Sequence, residues 1–202
     1  MGLVPFLQDS ELRRRAASFL REHGAADCIP VPIEEIVEFR LGLNIVPAPL
    51  LSSSRGINGY LSADRSAIYV DEHLFRNVET RYLFTVAHEV AHLVLHQHVY
   101  KSFASDSEWR EFHARLAQQD LKSAEYQADC FAGLILMPEA TLRASARTVF
   151  EELSRQSGEA RIDRMGDPFW TYVARELGIR YRTSQPTARI RLENDGFWRK
   201  PL

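Results

Sequence analysis

The sequence has few cysteines, no long apolar run and no marked excess of charge of either sign. Its two cysteines, Cys28 and Cys130, lie far apart and outside any CxxC pair. A disulfide framework is therefore not expected, and a reducing compartment is. No apolar stretch approaches the length of a membrane span. With 25 basic and 27 acidic residues the formal net charge is -2, which gives no electrostatic footprint for direct nucleic-acid binding.

The start of the chain also lacks the layout of a secretory signal. Only a few apolar residues precede Asp9, and the basic run Arg13–Arg15 comes after them. We therefore expect a cytoplasmic protein. At 202 residues the chain is long enough to bury one core. We expect a single domain over residues 1–202, with an N-terminal helix in 1–24 and a small helical C-terminal extension over about 160–202.

The order of predicted elements favours an α+β domain in which a small mixed sheet packs on helices. Two short amphipathic helices come first, and three strands follow in LNIVPA, INGYLSA and SAIYVDE, where β-branched and aromatic residues alternate. Helical stretches fill most of the remainder. A helix-turn-helix DNA reader at the first two helices is disfavoured, because the linker AADCIPVP is rich in proline and the second helix opens with Glu34 and Glu35.

The segment FTVAHEVAHLVLHQHVY, residues 84–100, contains four histidines. Thr80 can cap a helix from Arg81 to about His96, since RYLFTVAHEVAHLVLH has no Gly or Pro. The stretch is apolar on nearly all sides, which is typical of a helix in the core. Polar groups in the middle of such a helix need partners, and a metal ion is an adequate one.

His88, Glu89 and His92 form the HExxH pattern within this helix. At about 3.6 residues per turn both histidines project from one face, one turn apart, so their nitrogens can bind a single ion. Glu89 points away from that line by about 100°, where it can accept a proton from water beside the metal. A chance occurrence of the pattern is the alternative, and the buried context argues against it.

A catalytic zinc site needs a third protein ligand, and the histidine segment offers two candidates. His98 has the spacing of HExxHxxGxxH, but Leu95 stands where that pattern needs Gly to turn the chain back. His96 lies one turn beyond His92. Three histidines on a straight helix span about 12 Å of rise, so the outer pair cannot share an ion. We expect His96 to be half-exposed near the helix end.

The third candidate is Glu125 in SAEYQADCFAGLILMP. It shares a helix face with Asp129, while Phe131 and its apolar neighbours supply a surface for packing. A carboxylate entering the core beside the histidine helix would complete a set of two histidines and one glutamate. Asp129 could then accept the other ring N–H of a ligand histidine. An amphipathic helix with two solvated acids fits the same spacing.

The segments FTVAHEVAHLVLH and EYQADCFAGLILMP together resemble the paired signature of the ImmA/IrrE family of zinc-dependent peptidases. A weaker likeness in GYLSADRSAIYVDEHLFRN and VARELGIRYRTSQPTARIRL extends the resemblance to about residues 25–195. It implies a zincin-like metallopeptidase fold. The site residues that it implies are the zinc ligands His88, His92 and Glu125, the catalytic base Glu89 and the supporting residue Asp129.

Two features depart from the family pattern. Ala91 stands where the family usually has Gly, and it keeps the side chain small. The segment between the two motifs, which contains SEWREFHARLAQQD, is longer than in compact members and leaves the choice of substrate open.

The resemblance also implies a function. Members of the family cleave helix-turn-helix transcriptional repressors, often in mobile elements or stress responses, and so turn on the repressed genes. We therefore expect a zinc-dependent endopeptidase that cleaves a separate repressor or antitoxin. We expect neither a nucleic acid nor a membrane as a direct partner.

Two parts of the mechanism stay open at the level of sequence. INGYL offers an edge strand on which an extended substrate can pair beside Gly59 and Tyr60. Stabilisation of the oxyanion requires a further donor. Its candidates are Tyr60, His73, Tyr126, Arg189 and Arg191.

The competing interpretation is a non-catalytic protein with structural zinc, an antirepressor or toxin–antitoxin partner that sequesters a regulator. Glu89 favours the enzyme, since a structural zinc site has no use for a carboxylate beside an open coordination position.

Overall fold

A computed structural model describes residues 3–97, 106–157 and 167–197. His98, one candidate for the third metal ligand, lies outside the described residues. The elements in chain order are α1 (Asp9–Glu22), α2 (Ile33–Glu35) with a π-helical turn (Ile36–Arg40), β1 (Asn44–Ala48), α3 (Leu51–Arg55), β2 (Gly59–Leu61), β3 (Ala67–Asp71), α4 (Glu72–Asn77), α5 (Glu79–Leu95), α6 (Asp106–Arg115), α7 (Gln118–Leu136), α8 (Glu139–Ser157), α9 (Asp167–Tyr181) and α10 (Gln185–Asn194).

The three predicted strands form one small sheet in the order β1-β3-β2. β1 runs parallel to β3, and β2 runs antiparallel to it, so the sheet is mixed. Ile68 and Val70 of β3 are fully buried on the face that packs on α5. Tyr60 and Tyr69 stack on the opposite face with ring centroids 4.9 Å apart. The predicted α+β fold with a small mixed sheet on helices is confirmed.

β2 lies unusually close to α5 at Gly59. A Cβ atom at this position would lie 2.6 Å from Cγ2 of Thr85 and 2.7 Å from the carbonyl oxygen of Tyr69. Both distances are shorter than side chains tolerate, so the absence of a side chain at Gly59 lets the strand lie against the helix.

Helix α5 is buried on most of its sides, as its apolar composition predicts. It begins at Glu79, and Val78 is its N-cap residue without a capping hydrogen bond from its side chain. The prediction of Thr80 as the cap is therefore wrong, because Thr80 lies within the first turn. α5 packs along α7, and small residues of both helices, such as Ala87 and Ala128, are fully buried in the same apolar cluster.

Asp71, at the end of β3, holds two short helices that the sequence did not predict. Its Oδ1 accepts hydrogen bonds from the backbone N–H groups of His73 and Leu74 at the start of α4. Its Oδ2 accepts one from the N–H of Ser52 at 2.9 Å, in α3. One buried carboxylate thus anchors both the connection between β1 and β2 and the start of α4.

Two large apolar clusters organise the described part of the chain. The first joins α1, the sheet, α5 and α7. The second extends from Met137 to Phe197 and joins α8, α9 and α10. The predicted division into one domain with a C-terminal extension stays a prediction. Among the described helices, none combines the length and apolar composition needed to cross a bilayer.

Candidate metal centre

His88 and His92 lie one turn apart on α5, and their rings approach each other. Their Nε2 atoms are 3.0 Å apart, and both side chains are mostly buried. The spacing of four residues along the helix produces this proximity, as the HExxH pattern predicts.

Glu125 reaches the same point from α7. Its Oε2 lies 3.3 Å from Nε2 of His88, and its Oε1 lies 3.4 Å from Nε2 of His92. The packing of α7 along α5 brings this carboxylate to the histidines although 33 residues separate Glu125 from His92. The ligand atoms of these three residues lie within 4.8 Å of one another.

Each histidine has a hydrogen-bond partner on the other side of its ring. Nδ1 of His88 lies 2.9 Å from Oδ1 of Asp129. An ionised carboxylate has no hydrogen to donate, so it acts only as an acceptor. Nδ1 of His92 lies 3.0 Å from Nδ1 of His96. With the hydrogen on Nδ1 in both rings, the lone pairs of both Nε2 atoms face Glu125.

This donor set fits zinc. Two imidazole lone pairs and a carboxylate are acceptors that face one point, and such groups repel each other unless a cation lies between them. Ligand atoms about 2.05 Å from a tetrahedral zinc ion lie about 3.3 Å apart, close to the separations in this cluster. The cluster therefore meets the requirements of a site with two histidines and one glutamate.

Electrostatics in the cluster favour positive charge. Burial lowers the pKa of His88, but its hydrogen bonds to Asp129 and Glu125 outweigh burial and raise this pKa to about 10. Burial likewise raises the pKa of Glu125, but hydrogen bonds to His88 and His92 outweigh it and hold this pKa well below its usual range. The negative groups thus stabilise a cation at the histidines, and protons would compete with a metal ion there.

Glu89 lies on the buried side of α5, with 8% of its surface exposed. Its Oε2 accepts a hydrogen bond of 3.0 Å from the backbone N–H of Leu61 in β2. Leu61 was not predicted as a site residue, because a backbone donor leaves no signature in side-chain types. The bond orients Glu89 and links the edge of the sheet to α5.

The strand register determines which groups of β2 face outward. Asn58 accepts from Asp71 N, and Ser62 donates to Ala67 O, so the alternate residues Gly59 and Leu61 direct their backbone groups away from β3. Tyr60 instead pairs with Tyr69 in β3. Of the two predicted substrate-edge residues, Gly59 therefore has outward backbone groups.

His96 does not have the half-exposed position that we expected for it. It is only 1% exposed, and that prediction is wrong. It occupies the C-cap position of α5, and its Nε2 lies 3.2 Å from Oε1 of Gln127 in α7. Among the oxyanion candidates, Arg191 is also buried, and it is paired with Asp195, so a substrate does not reach it.

An HExxH helix, a glutamate on the adjacent helix and a small mixed sheet beside them define a zincin-like metallopeptidase domain. The chain belongs to peptidase family M78, described as the IrrE N-terminal-like domain, which matches residues 40–192. The match confirms the resemblance to the ImmA/IrrE family. The family is of the metallopeptidase type and zinc-dependent.

Among solved structures, a Mycobacterium tuberculosis transcriptional regulator is similar to this chain with a TM-score of 0.57 and 17% sequence identity. The alignment covers 97% of this chain and 49% of that one, so the chain spans about half the length of the regulator. At this identity the likeness shows a shared fold. Comparison with curated proteins gives no match.

Proposed function

We propose that the protein is a zinc-dependent endopeptidase that cleaves a separate helix-turn-helix repressor or antitoxin and so derepresses its genes. The observation that carries the proposal is the convergence of His88, His92 and Glu125 beside the buried carboxylate of Glu89. A site with structural zinc alone would not require that carboxylate.

The proposed chemistry is hydrolysis of a peptide bond. Zinc held by His88, His92 and Glu125 would lower the pKa of a water molecule toward neutrality and polarise the scissile carbonyl. Because Leu61 N–H holds Oε2 of Glu89, Oε1 is the oxygen that accepts the proton of the attacking water. Glu89 then passes this proton to the leaving amine.

The edge of β2 supports the binding of an extended substrate segment. The backbone N–H and C=O groups of Gly59 and the C=O of Leu61 face away from β3, and Leu61 N–H contacts the proposed base. An extended peptide that pairs along this edge would extend the sheet by one strand beside the metal. Tyr60 would contact the substrate only through its side chain, which lies on the face of the sheet opposite α5.

The proposal of a transcriptional regulator as substrate rests on the family. The solved regulator that shares the fold is a second protein in which this fold is linked to transcription. A net charge of -2 offers no basis for direct DNA binding. An effect on transcription would then pass through a protein partner. A cytoplasmic location and a role in a mobile element or stress response belong to the same proposal.

The test is incubation of the zinc-loaded protein with the helix-turn-helix regulator encoded next to its gene. We expect one defined cut, which mass spectrometry of the fragments would locate. Glu89→Gln is the matched variant, because glutamine keeps an oxygen for Leu61 N–H but does not accept the proton from water. It should retain zinc and lose cleavage by several orders of magnitude.

A Glu89→Gln protein that cuts at the rate of the natural chain would refute this mechanism. The absence of any cut by the natural chain, together with tight binding of the regulator, would favour the sequestering protein instead.

A further inference from the structure

A chain of hydrogen bonds leads from His92 away from the metal centre to the N-terminal segment. Nδ1 of His92 lies 3.0 Å from Nδ1 of His96, and Nε2 of His96 lies 3.2 Å from Oε1 of Gln127. Nε2 of Gln127 then donates to the backbone carbonyl of Pro5 at 2.9 Å. This relay, formed by His92, His96, Gln127 and Pro5, joins the end of α5, helix α7 and the segment before α1.

The direction of every hydrogen bond in this chain follows from Pro5. A backbone carbonyl only accepts, so the Gln127 atom beside it is the amide nitrogen, which also donates to Ser123 Oγ at 3.0 Å. The amide oxygen therefore faces His96 and accepts from its Nε2–H. Nδ1 of a neutral His96 then carries a lone pair and accepts from Nδ1–H of His92.

His92 therefore carries no hydrogen on Nε2, the nitrogen that faces His88 and Glu125. We propose that Gln127 and His96 are positioning residues that hold His92 in the tautomer and ring orientation required of a metal ligand. The backbone carbonyl of Pro5 is the group that sets their direction. The inference rests on the metal centre of the proposed function and does not depend on proteolysis.

Burial makes the relay hard for solvent to replace. His96 and Gln127 are each 1% exposed, so water has little access to substitute for either partner. A buried hydrogen-bonding group without its partner costs more than an exposed one. We therefore expect that removal of His96 or Gln127 changes the tautomer or the ring orientation of His92.

The N-terminal segment is held on α7 at a second point. Both carboxylate oxygens of Asp120 accept from the segment, from Leu3 N at 3.2 Å and from Val4 N at 3.1 Å. Asp120 and Gln127 are about two turns apart on α7. Together they anchor the segment so that the carbonyl of Pro5 lies beside the Gln127 amide.

The experiment has two readouts on the full-length protein. Side-chain ¹⁵N spectra of the zinc-loaded natural chain report which ring nitrogen carries hydrogen, and we expect Nε2–H on His96 and Nδ1–H on His92. Competition with a chelator reports the zinc Kd. We expect His96→Leu and Gln127→Met to raise this Kd by about tenfold to a hundredfold, the range typical of residues that support metal ligands.

Two variants separate positioning from general destabilisation. His96→Asn can present an amide oxygen to Nδ1–H of His92, so it should recover most of the affinity that His96→Leu loses. Ser145→Ala removes a buried hydrogen bond to Tyr181 in the second apolar cluster, and it should leave the zinc Kd unchanged.

The relay is refuted if His96 carries its hydrogen on Nδ1, or if His96→Leu and Gln127→Met bind zinc as tightly as Ser145→Ala. Should His96→Leu fail to fold, Gln127→Met and the spectra of the natural chain decide. A natural chain that does not bind zinc would refute the relay and the proposed function together. Tight zinc binding with unaffected variants would refute the relay alone.

Discussion

Oδ1 of Asp129 lies 2.9 Å from Nδ1 of His88, across the ring from the Nε2 atom that faces Glu125 at 3.3 Å. The carboxylate thus holds the ring with its lone pair toward the proposed metal. We predict that Asp129→Ala raises the zinc Kd by about tenfold, the lower end for a residue that supports a ligand, because Asp129 is exposed and water can partly replace it. Asp129→Asn should cost less, since its amide oxygen still accepts.

Chelator competition at one pH measures both affinities. Lys122→Ala, at an exposed position of the same helix, is the control for a change in α7. Equal zinc affinities for Asp129→Ala and Lys122→Ala would show that Asp129 does not support the ligand.

Gly59 gives a prediction about stability. A Cβ at this position meets Cγ2 of Thr85 at 2.6 Å and the carbonyl oxygen of Tyr69 at 2.7 Å. Gly59→Ala should therefore lower the free energy of unfolding by about 1–3 kcal/mol, as overpacking typically does. Thr85→Ser in the same chain removes one of the two clashes and should restore part of the loss.

Denaturant unfolding measures the effect, with Gly133→Ala as the matched control. Gly133 lies inside α7, and a Cβ there meets only ordinary contacts, the nearest being Cδ of Arg191 at 4.0 Å. Alanine favours the helix, so this change should stabilise by up to about 1 kcal/mol. A neutral Gly59→Ala would show that β2 can move away from α5.

Asp195 connects the N-terminal helix to the last helix. Its Oδ1 accepts from Nη1 of Arg13 at 2.6 Å and also pairs with the buried Arg191. Burial lowers the pKa of Arg191, which shows the cost of enclosing this charge. Asp195→Ala would remove the ion-pair partner of this buried guanidinium, so we predict a loss of about 3–5 kcal/mol in stability.

Thermal or denaturant unfolding checks this value against Glu193→Ala. Glu193 pairs with Arg189 in the same helix but is largely exposed, and loss of such a pair costs about 0–1 kcal/mol. Similar losses for the two variants would mean that Asp195 does not compensate the buried arginine.

Asp71 predicts a specific dependence of stability on pH. The N–H of Ser52 lowers the pKa of Asp71 below its ordinary value of 3.8, burial opposes this effect, and the N–H groups of His73 and Leu74 lower it further. A carboxyl with a depressed pKa in the folded state stabilises the fold above its unfolded pKa, and this contribution is lost as pH falls through the folded value.

The stability difference between the natural chain and Asp71→Asn should therefore be constant above about pH 5 and shrink as the pH falls below 4. Urea unfolding of metal-free protein across this range measures it. Glu72→Gln, at the half-buried neighbouring position, controls for the general effect of acid. A difference that does not change with pH would show that the charge of Asp71 has no role.

Local periodicity is sufficient to predict that His88 and His92 share a helix face and that Glu89 projects beside it. Residues four apart on a helix share a face whatever surrounds the helix, so the HExxH pattern alone predicts that His88 and His92 lie together. The apolar run likewise predicted a core helix. The cap at Thr80 was wrong because several residues near a helix start can begin it, and chain packing selects among them.

Glu125 shows the limit of such reasoning. Its spacing to Asp129 fitted a metal ligand and a solvated acid equally well, and the family resemblance rather than periodicity favoured the ligand. In the structure, the packing of α7 on α5 brings its oxygens within 3.4 Å of both Nε2 atoms. Similarly, Leu61 approaches Glu89 through a backbone N–H that every residue but proline possesses.

By itself, the sequence determined the HExxH helix, the three strands that precede it and, through its two motifs, the family. Only the tertiary structure decided that His96 is buried, that Gln127 connects it to Pro5, and that β2 lies against α5. The physical reason is the distance along the sequence over which each interaction acts. Helix periodicity acts within one or two turns, whereas the burial of a side chain and the direction of its hydrogen bonds depend on segments that are distant in sequence.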